Sequence, residues 1–318
     1  MAEELTVDSE KPSGKSVMQS RSFISRIMSV LGDIKFAHTV FALPFALLST
    51  HLAFISIGGY RIDILVAILV CMVTARTAAM SFNRWLDRDL DSYNPRTSDR
   101  SIPTGRARPR DALLVVISCS LIFIAACWYL GPLPLILSVP TILFLLAYSA
   151  SKRFTTLTHL WLGAALAISP TGAWIAVTGG WSWLPVVLSV AVVFWVAGFD
   201  VIYALQDIGF DREHRVFSIP AMKGEDYALW VARAMHVVSF TMLVVFGWWA
   251  GTGWPWWTAL GLVAVLLAVE HALVRPGDYS RVGIAFFTMN GVISIVLYVS
   301  VLISSATGSL SFPGGEGL

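Results

Sequence analysis

The sequence predicts an all-α integral membrane protein, a bundle of nine transmembrane helices, and three observations carry that prediction. Of 318 residues, 56% are hydrophobic and only 13% charged, a balance outside the range of soluble globular domains. Apolar runs close to the roughly 20 residues that a helix needs to cross a bilayer cover 36–58, 62–82, 112–130, 133–150, 160–177, 184–203, 227–249, 257–273 and 283–304. The charges collect in the connections on one side of these runs.

Residues 1–20 are polar, with Lys11, Pro12, Gly14 and Lys15 and no apolar stretch at signal-peptide distance, and are expected to form a disordered cytoplasmic tail. Within 21–35, Phe23, Ile24, Ile27, Met28 and Leu31 recur at helical spacing against Arg21 and Arg26. This predicts a short interfacial helix, with an extension of the first span as the alternative. The membrane domain is expected over 36–305, followed by a short non-cytoplasmic tail over 306–318. With the N-terminus cytoplasmic, the connections after the second, fourth, sixth and eighth spans share its side and hold most of the basic residues, from Arg84 and Arg110 to Lys152, Arg212 and Arg281. The opposite side offers little beyond Arg61 and carries Trp181, Trp183, Trp254 and Trp257, the pattern of the positive-inside rule and an aromatic belt. Cys71, Cys119 and Cys127 are odd in number and apolar in setting, which argues against a disulfide framework or a zinc site. A net charge of +2 points to no nucleic-acid partner, and nothing names an obligate protein partner.

The acidic residues lie beside the basic ones. Asn83, Asp87 and Asp91 are spaced by four, so on a continuing helix they share one face. Like charges at that spacing repel, and a divalent cation removes the penalty. Asp207 and Asp211 repeat the spacing at the end of the sixth span, with Asp200 two turns earlier. Hard oxygen ligands without His or Cys point to Mg²⁺, completed by substrate phosphates. The bland alternative is that these aspartates solvate helix ends, although a carboxylate inside a span, as Asp200 is, is costly enough to suggest function.

An anion bound there needs cations. Lys152 and Arg153, after Tyr148, are placed to supply them, with topology signalling as the alternative. Arg76 lies two turns before Asn83 on the same face. Arg96, Arg100, Arg106, Arg108 and Arg110 are assigned mostly to topology. His38 fits either a phenol or carboxylate partner or a polar residue satisfied within the bundle. Tyr203 and Trp85 offer π faces to a cation or serve as interfacial anchors.

Asn83 to Asp91, with Asn94-Pro95-Arg96-Thr97 and Arg100 to Gly105, resembles the first signature of UbiA-type prenyltransferases. Asp200 to Asp211 looks like the second, and Tyr148 with Lys152-Arg153 is similar to the family's connection between the fourth and fifth helices. The likeness covers nearly all of the chain after residue 30, and residues 75–80 and 38–44 look most like the 4-hydroxybenzoate polyprenyltransferase branch. That branch includes the enzyme that prenylates a dihydroxynaphthoate in the futalosine route to menaquinone. The resemblance implies a UbiA-type bundle around a central cavity in a bacterial inner membrane, with its active site facing the cytoplasm. It also implies a polyprenyl diphosphate and an aromatic acid as substrates, in quinone biosynthesis. Asn83, Asp87, Asp91, Asp207 and Asp211 would then bind Mg²⁺-diphosphate, and Tyr148, Lys152 and Arg153 the diphosphate or the acceptor's carboxylate. Asp200 is a candidate base or phenol partner. Gly209 is expected to loosen the helix between the second pair. Relatives that prenylate a heme, a chlorophyll precursor or a glycerol ether share the aspartates. A transporter with acidic ion sites is the alternative of another class, but it predicts carboxylates spread through the spans. A structural protein has no use for the repeated spacing.

Overall fold

A computed structural model describes residues 22–34 and 39–311; the expected tail over 1–20, His38 and most of the tail over 306–318 lie outside the described residues. Helix α1 (Phe23–Gly32) opens on Ser22, whose side chain accepts the Ser25 N–H, and leaves Phe23, Ile24 and Met28 exposed. It is tied to the membrane domain by polar contacts at both ends. Arg26 pairs with Asp111 at 2.9 Å, and Asp33 accepts the N–H and hydroxyl of Ser101 at 2.9 and 2.6 Å.

Eight helices among the described residues are long and apolar enough to cross a membrane. They are α3 (Ile62–Leu86), α5 (Pro109–Leu130), α6 (Pro132–Ser151), α7 (Thr158–Thr178), α8 (Trp183–Ala204, prolonged beyond the apolar stretch), α11 (Glu225–Trp249), α12 (Trp254–Leu273) and α13 (Val282–Ala306). The expected first span corresponds to α2, described over Thr39–Ser56. Short helices α4 (Arg88–Tyr93), α9 (Ile208–Glu213) and α10 (Ile219–Lys223) occupy the connections at one end. From α3 onward each long helix packs on the next, and α13 returns to α2, which itself packs on α7, so α2 closes the second half of the bundle. Its centre is filled by Phe41, Phe45, Trp195, Phe199, Phe286 and Leu297.

In lipid every backbone polar group needs a partner inside the protein, and the interruptions of these helices are repaired accordingly. Pro170 in α7 has no N–H for the carbonyl of Leu166, and the Ser169 hydroxyl donates to that carbonyl instead at 2.8 Å. In α13 the π segment Ala285–Met289 leaves the Ala285 carbonyl to accept from Asn290 Nδ2 at 3.1 Å. Without water to drive association, helices in lipid rely on close approach at small residues. A Cβ on Gly163 would sit 2.2 Å from the Val193 carbonyl oxygen, and one on Gly247 would sit 2.1 Å from Trp256 Nε1.

Helix α3 runs four residues past its expected end and then breaks. Asp87 leaves helical geometry (φ −91°, ψ 4°), so Asn83, Asp87 and Asp91 do not lie on one continuing helix; the chain restarts as α4, with the Asp91 N–H on the Asp87 carbonyl at 2.7 Å.

Gly247→Ala should lower stability by about 1–3 kcal/mol, because the added methyl enters the space of the Trp256 ring. Thermal unfolding in detergent measures this, and the change lies at the opposite end of α11 from the aspartates.

Candidate active site

The ends of α3, α6 and α8 meet at one end of the bundle, covered by α4, α9, α10 and the segment 94–108. Asp87 is only 1% exposed, and a carboxylate so buried has to be paired. Its Oδ2 accepts from Asn83 Nδ2 at 2.8 Å and from Lys152 Nζ at 2.5 Å. Its Oδ1 lies 3.2 Å from Arg153 Nη2, which also donates to the Leu86 carbonyl at 2.7 Å. Asn83 Oδ1 in turn accepts from Arg84 at 2.9 Å. Asp91 takes Arg100 Nη1 on both oxygens, at 2.7 and 2.8 Å.

The second cluster is bound to the first by the segment between them. Arg96 grips Asp207 through two nitrogens, Nε at 2.9 Å and Nη2, the bidentate geometry that guanidinium favours. Its third nitrogen donates to Tyr203 Oη at 2.9 Å, and its guanidinium carbon stands 5.3 Å from the Tyr203 ring centroid. Asn94 Nδ2 adds a longer contact to Asp207 at 3.3 Å. Asp211, in the connection beyond the α8 span, accepts from the Ser218 hydroxyl at 2.8 Å.

Asp200 points to a group that the sequence did not single out. Buried His159, at the start of α7, lies 2.7 Å from Asp200 Oδ2 through Nδ1. Its Nε2 accepts the Ile219 N–H at 3.2 Å, which requires that nitrogen to be bare and Nδ1 to carry the proton donated to Asp200. The dyad fastens α7, α8 and α10 together. Tyr148 is half-buried within electrostatic reach of both Asp200 and Asp87. Arg76 stands two turns back along α3 from Asn83.

The structure therefore brings together Asn83, Asp87, Asp91, Lys152 and Arg153 on one side and Tyr203, Asp207 and Asp211 on the other. It corrects the assignment of Arg96 and Arg100 to topology, since each is the ion-pair partner of a motif aspartate. Both stand in the segment that resembled the first signature, and that was the available signal. His159 had a signal too, as a histidine entering an apolar span. From Tyr203 inward a run of rings continues, with Phe286 at 4.2 Å between centroids and then Phe41 and Phe287 at 5.2 and 4.7 Å from Phe286.

Among the described residues no three His, Cys, Asp or Glu side chains are gathered as a metal cage, because each carboxylate faces a cation or a hydroxyl. The donor set nevertheless fits Mg²⁺: it is all oxygen, at a mouth whose lysine and arginines complement phosphate.

The model of the UbiA prenyltransferase family matches residues 42–292. The 4-hydroxybenzoate octaprenyltransferase of Xanthomonas campestris pv. campestris (strain B100) is 30% identical over 231 residues, 73% of this chain and 76% of that protein. Its counterpart in Methylobacillus flagellatus is 27% identical over 232 residues, 73% and 78% of the two chains. The apo structure of a UbiA homolog from Aeropyrum pernix K1 superposes with a TM-score of 0.75 at 30% identity, covering 84% of this chain and 98% of that one. A UbiA homolog from Archaeoglobus fulgidus, solved bound to DMAPP and Mg²⁺, shares the fold with a TM-score of 0.69 at 17% identity, covering 89% and 99%. An all-helical membrane bundle with the aspartate signatures, and a family match over most of its length, identify the chain as a member of the UbiA prenyltransferase family.

Proposed function

We propose that this protein transfers a polyprenyl group from a polyprenyl diphosphate to a ring carbon of 4-hydroxybenzoate, as a step in quinone biosynthesis. The observation that carries the reading is the convergence of two aspartate pairs with Lys152, Arg153, Arg96 and Arg100 at one end of a lipid-embedded bundle. The names of the curated relatives support 4-hydroxybenzoate over a dihydroxynaphthoate as acceptor. The density of arginine and lysine at the charged end supports a cytoplasmic placement in a bacterial inner membrane.

In this reading Asp87, Asp91, Asp207 and Asp211, with Asn83, hold Mg²⁺, which when bound neutralises diphosphate charge and favours departure of that anion. Lys152 and Arg153 turn from Asp87 to the diphosphate oxygens, and Arg96 and Arg100 stand ready to do the same. The allylic C–O bond breaks with its electron pair leaving on the diphosphate. A ring carbon next to the phenol oxygen gives its π pair to the allylic carbon, and the displaced ring proton goes to a base. Tyr203 and the rings behind it shelter the cationic carbon from water. Asp200, its Oδ2 held by His159, keeps Oδ1 for the phenol or the ring proton. Tyr148, within electrostatic reach of Asp200 and Asp87, stands beside the acceptor, whose carboxylate meets the Lys152-Arg153 pair.

Purified protein in detergent with Mg²⁺ and a polyprenyl diphosphate, offered 4-hydroxybenzoate and a dihydroxynaphthoate side by side, should prenylate 4-hydroxybenzoate. The reaction should stop on addition of EDTA and return with Mg²⁺. Product from the dihydroxynaphthoate alone would move the assignment to the other acceptor, and EDTA-insensitive turnover would remove the metal from it.

Asp207→Asn keeps the shape of the side chain and should cut kcat by about 10²-fold or more without loss of folded protein; wild-type turnover in a folded variant would refute the role of the second pair. Asp200→Asn should reduce kcat while leaving KM for the polyprenyl diphosphate near the wild-type value. A rise in that KM instead would assign Asp200 to diphosphate binding.

A further inference from the structure

Between α11 and α12, away from the aspartates, the outer face of the bundle is indented by a groove of about 300 Å³, lined by Arg233, His236, Val237, Phe240, Leu267 and His271 among others. Arg233 stands a little over two turns into α11, about 12 Å from its start, and His271 lies in the last turn of α12. Gly277, just past α12, donates its N–H to Glu225 at the start of α11 at 2.8 Å, so the groove opens near the charged end. Trp230, one turn before Arg233, is 63% exposed, and Val237, one turn after, is 65% exposed. An outward tryptophan followed by apolar surface marks the passage from headgroups to hydrocarbon.

The polar residues there are unlike those of an ordinary lipid-facing surface. Arg233 is exposed and has no ion pair among the described residues, which leaves its guanidinium available to an anion at the membrane interface. Beside it runs a chain of hydrogen bonds. His236 Nε2 lies 3.2 Å from the Trp195 carbonyl and donates to it. With both rings neutral, His236 Nδ1 then accepts from His271 Nε2 at 3.0 Å. That leaves His271 Nδ1 with a bare lone pair, shut off from water and without a partner among the described residues. The groove thus offers a cation and an apolar channel.

We propose that this groove binds one anionic phospholipid: its phosphate meets Arg233, and an acyl chain lies along Val237, Phe240 and Leu267. Charge complementarity selects the phosphate, and the apolar floor below Arg233 selects a lipid over a soluble phosphate. Basic grooves between membrane helices recognise headgroups in this way.

The test is lipid retention, read independently of catalysis. The full chain in detergent is offered equal amounts of phosphatidylglycerol and phosphatidylcholine with identical acyl chains, and retained lipid is measured by native mass spectrometry. Wild-type protein should keep about one phosphatidylglycerol with a preference of about tenfold, the value of a charge-assisted hydrogen bond. Arg233→Gln should bring the preference close to unity with an unchanged thermal transition in lipid-free detergent, and Arg233→Lys should keep most of it. Equal retention of the two lipids by the wild type, or a preference untouched by Arg233→Gln, would overturn the proposal. Displacement of phosphatidylglycerol by millimolar inorganic phosphate would overturn the choice of a lipid as the occupant.

Discussion

The charged end of this bundle depends on the burial of Asp87. A carboxylate in that position without partners would be protonated or would expel the chain around it, and it is held by Asn83 from its own helix and by Lys152 and Arg153 from the end of α6. The pairing joins α3 to α6, and the contacts continue from there. The Lys152 carbonyl accepts the Phe217 N–H at 2.8 Å, and the neighbouring Ile219 N–H meets His159, which is bonded to Asp200. Apolar helix faces in lipid have little to fix their register, because lipid tails are as apolar as the helices themselves. Polar contacts at one end therefore help to set the registration of α3, α6, α7 and α8, and the same groups form the candidate site.

That economy has a chemical consequence. The cations that neutralise the aspartates at rest are of the kind that grip phosphate, and the aspartates are of the kind that grip Mg²⁺. Arrival of a metal-bound diphosphate would therefore exchange partners without stranding a buried charge, since carboxylates pass from guanidinium to metal while guanidinium passes from carboxylate to phosphate. A site assembled from aspartates alone would have to hold four like charges together before its ligand arrived.

The legible part of this molecule was what hydropathy and spacing encode. The spans, the gathering of charge at one end and the two aspartate pairs could all be read from the residues, because each is a local pattern. The break at Asp87 was not legible, since four-residue spacing is equally compatible with a continuing helix and with one that stops and restarts. Arg96 and Arg100 looked like topology signals, because the positive-inside pattern and ion pairing use the same residue type and only the folded path of 94–108 tells them apart. His159 escaped notice because its partner Asp200 is 41 residues away and the contact exists only once α7 packs on α8. The groove on α11 and α12 has no sequence motif; its histidine chain joins residues 35 apart.

Arg96 is where the charged end meets the apolar interior. One guanidinium holds Asp207 with two nitrogens and covers Tyr203 with its face and its third. Tyr203 is the first of the rings that lead through Phe286 into the core. In the proposed reaction the diphosphate belongs with the arginine and the allylic carbon with the rings, so the bond that breaks lies at the boundary Arg96 marks. Movement of Arg96 from Asp207 toward a phosphate would also uncover the Tyr203 face that it shields at rest. The π surface able to stabilise a carbocation would then be exposed only when the anion that produces the cation is already held, an order of events set by the three donors of one side chain.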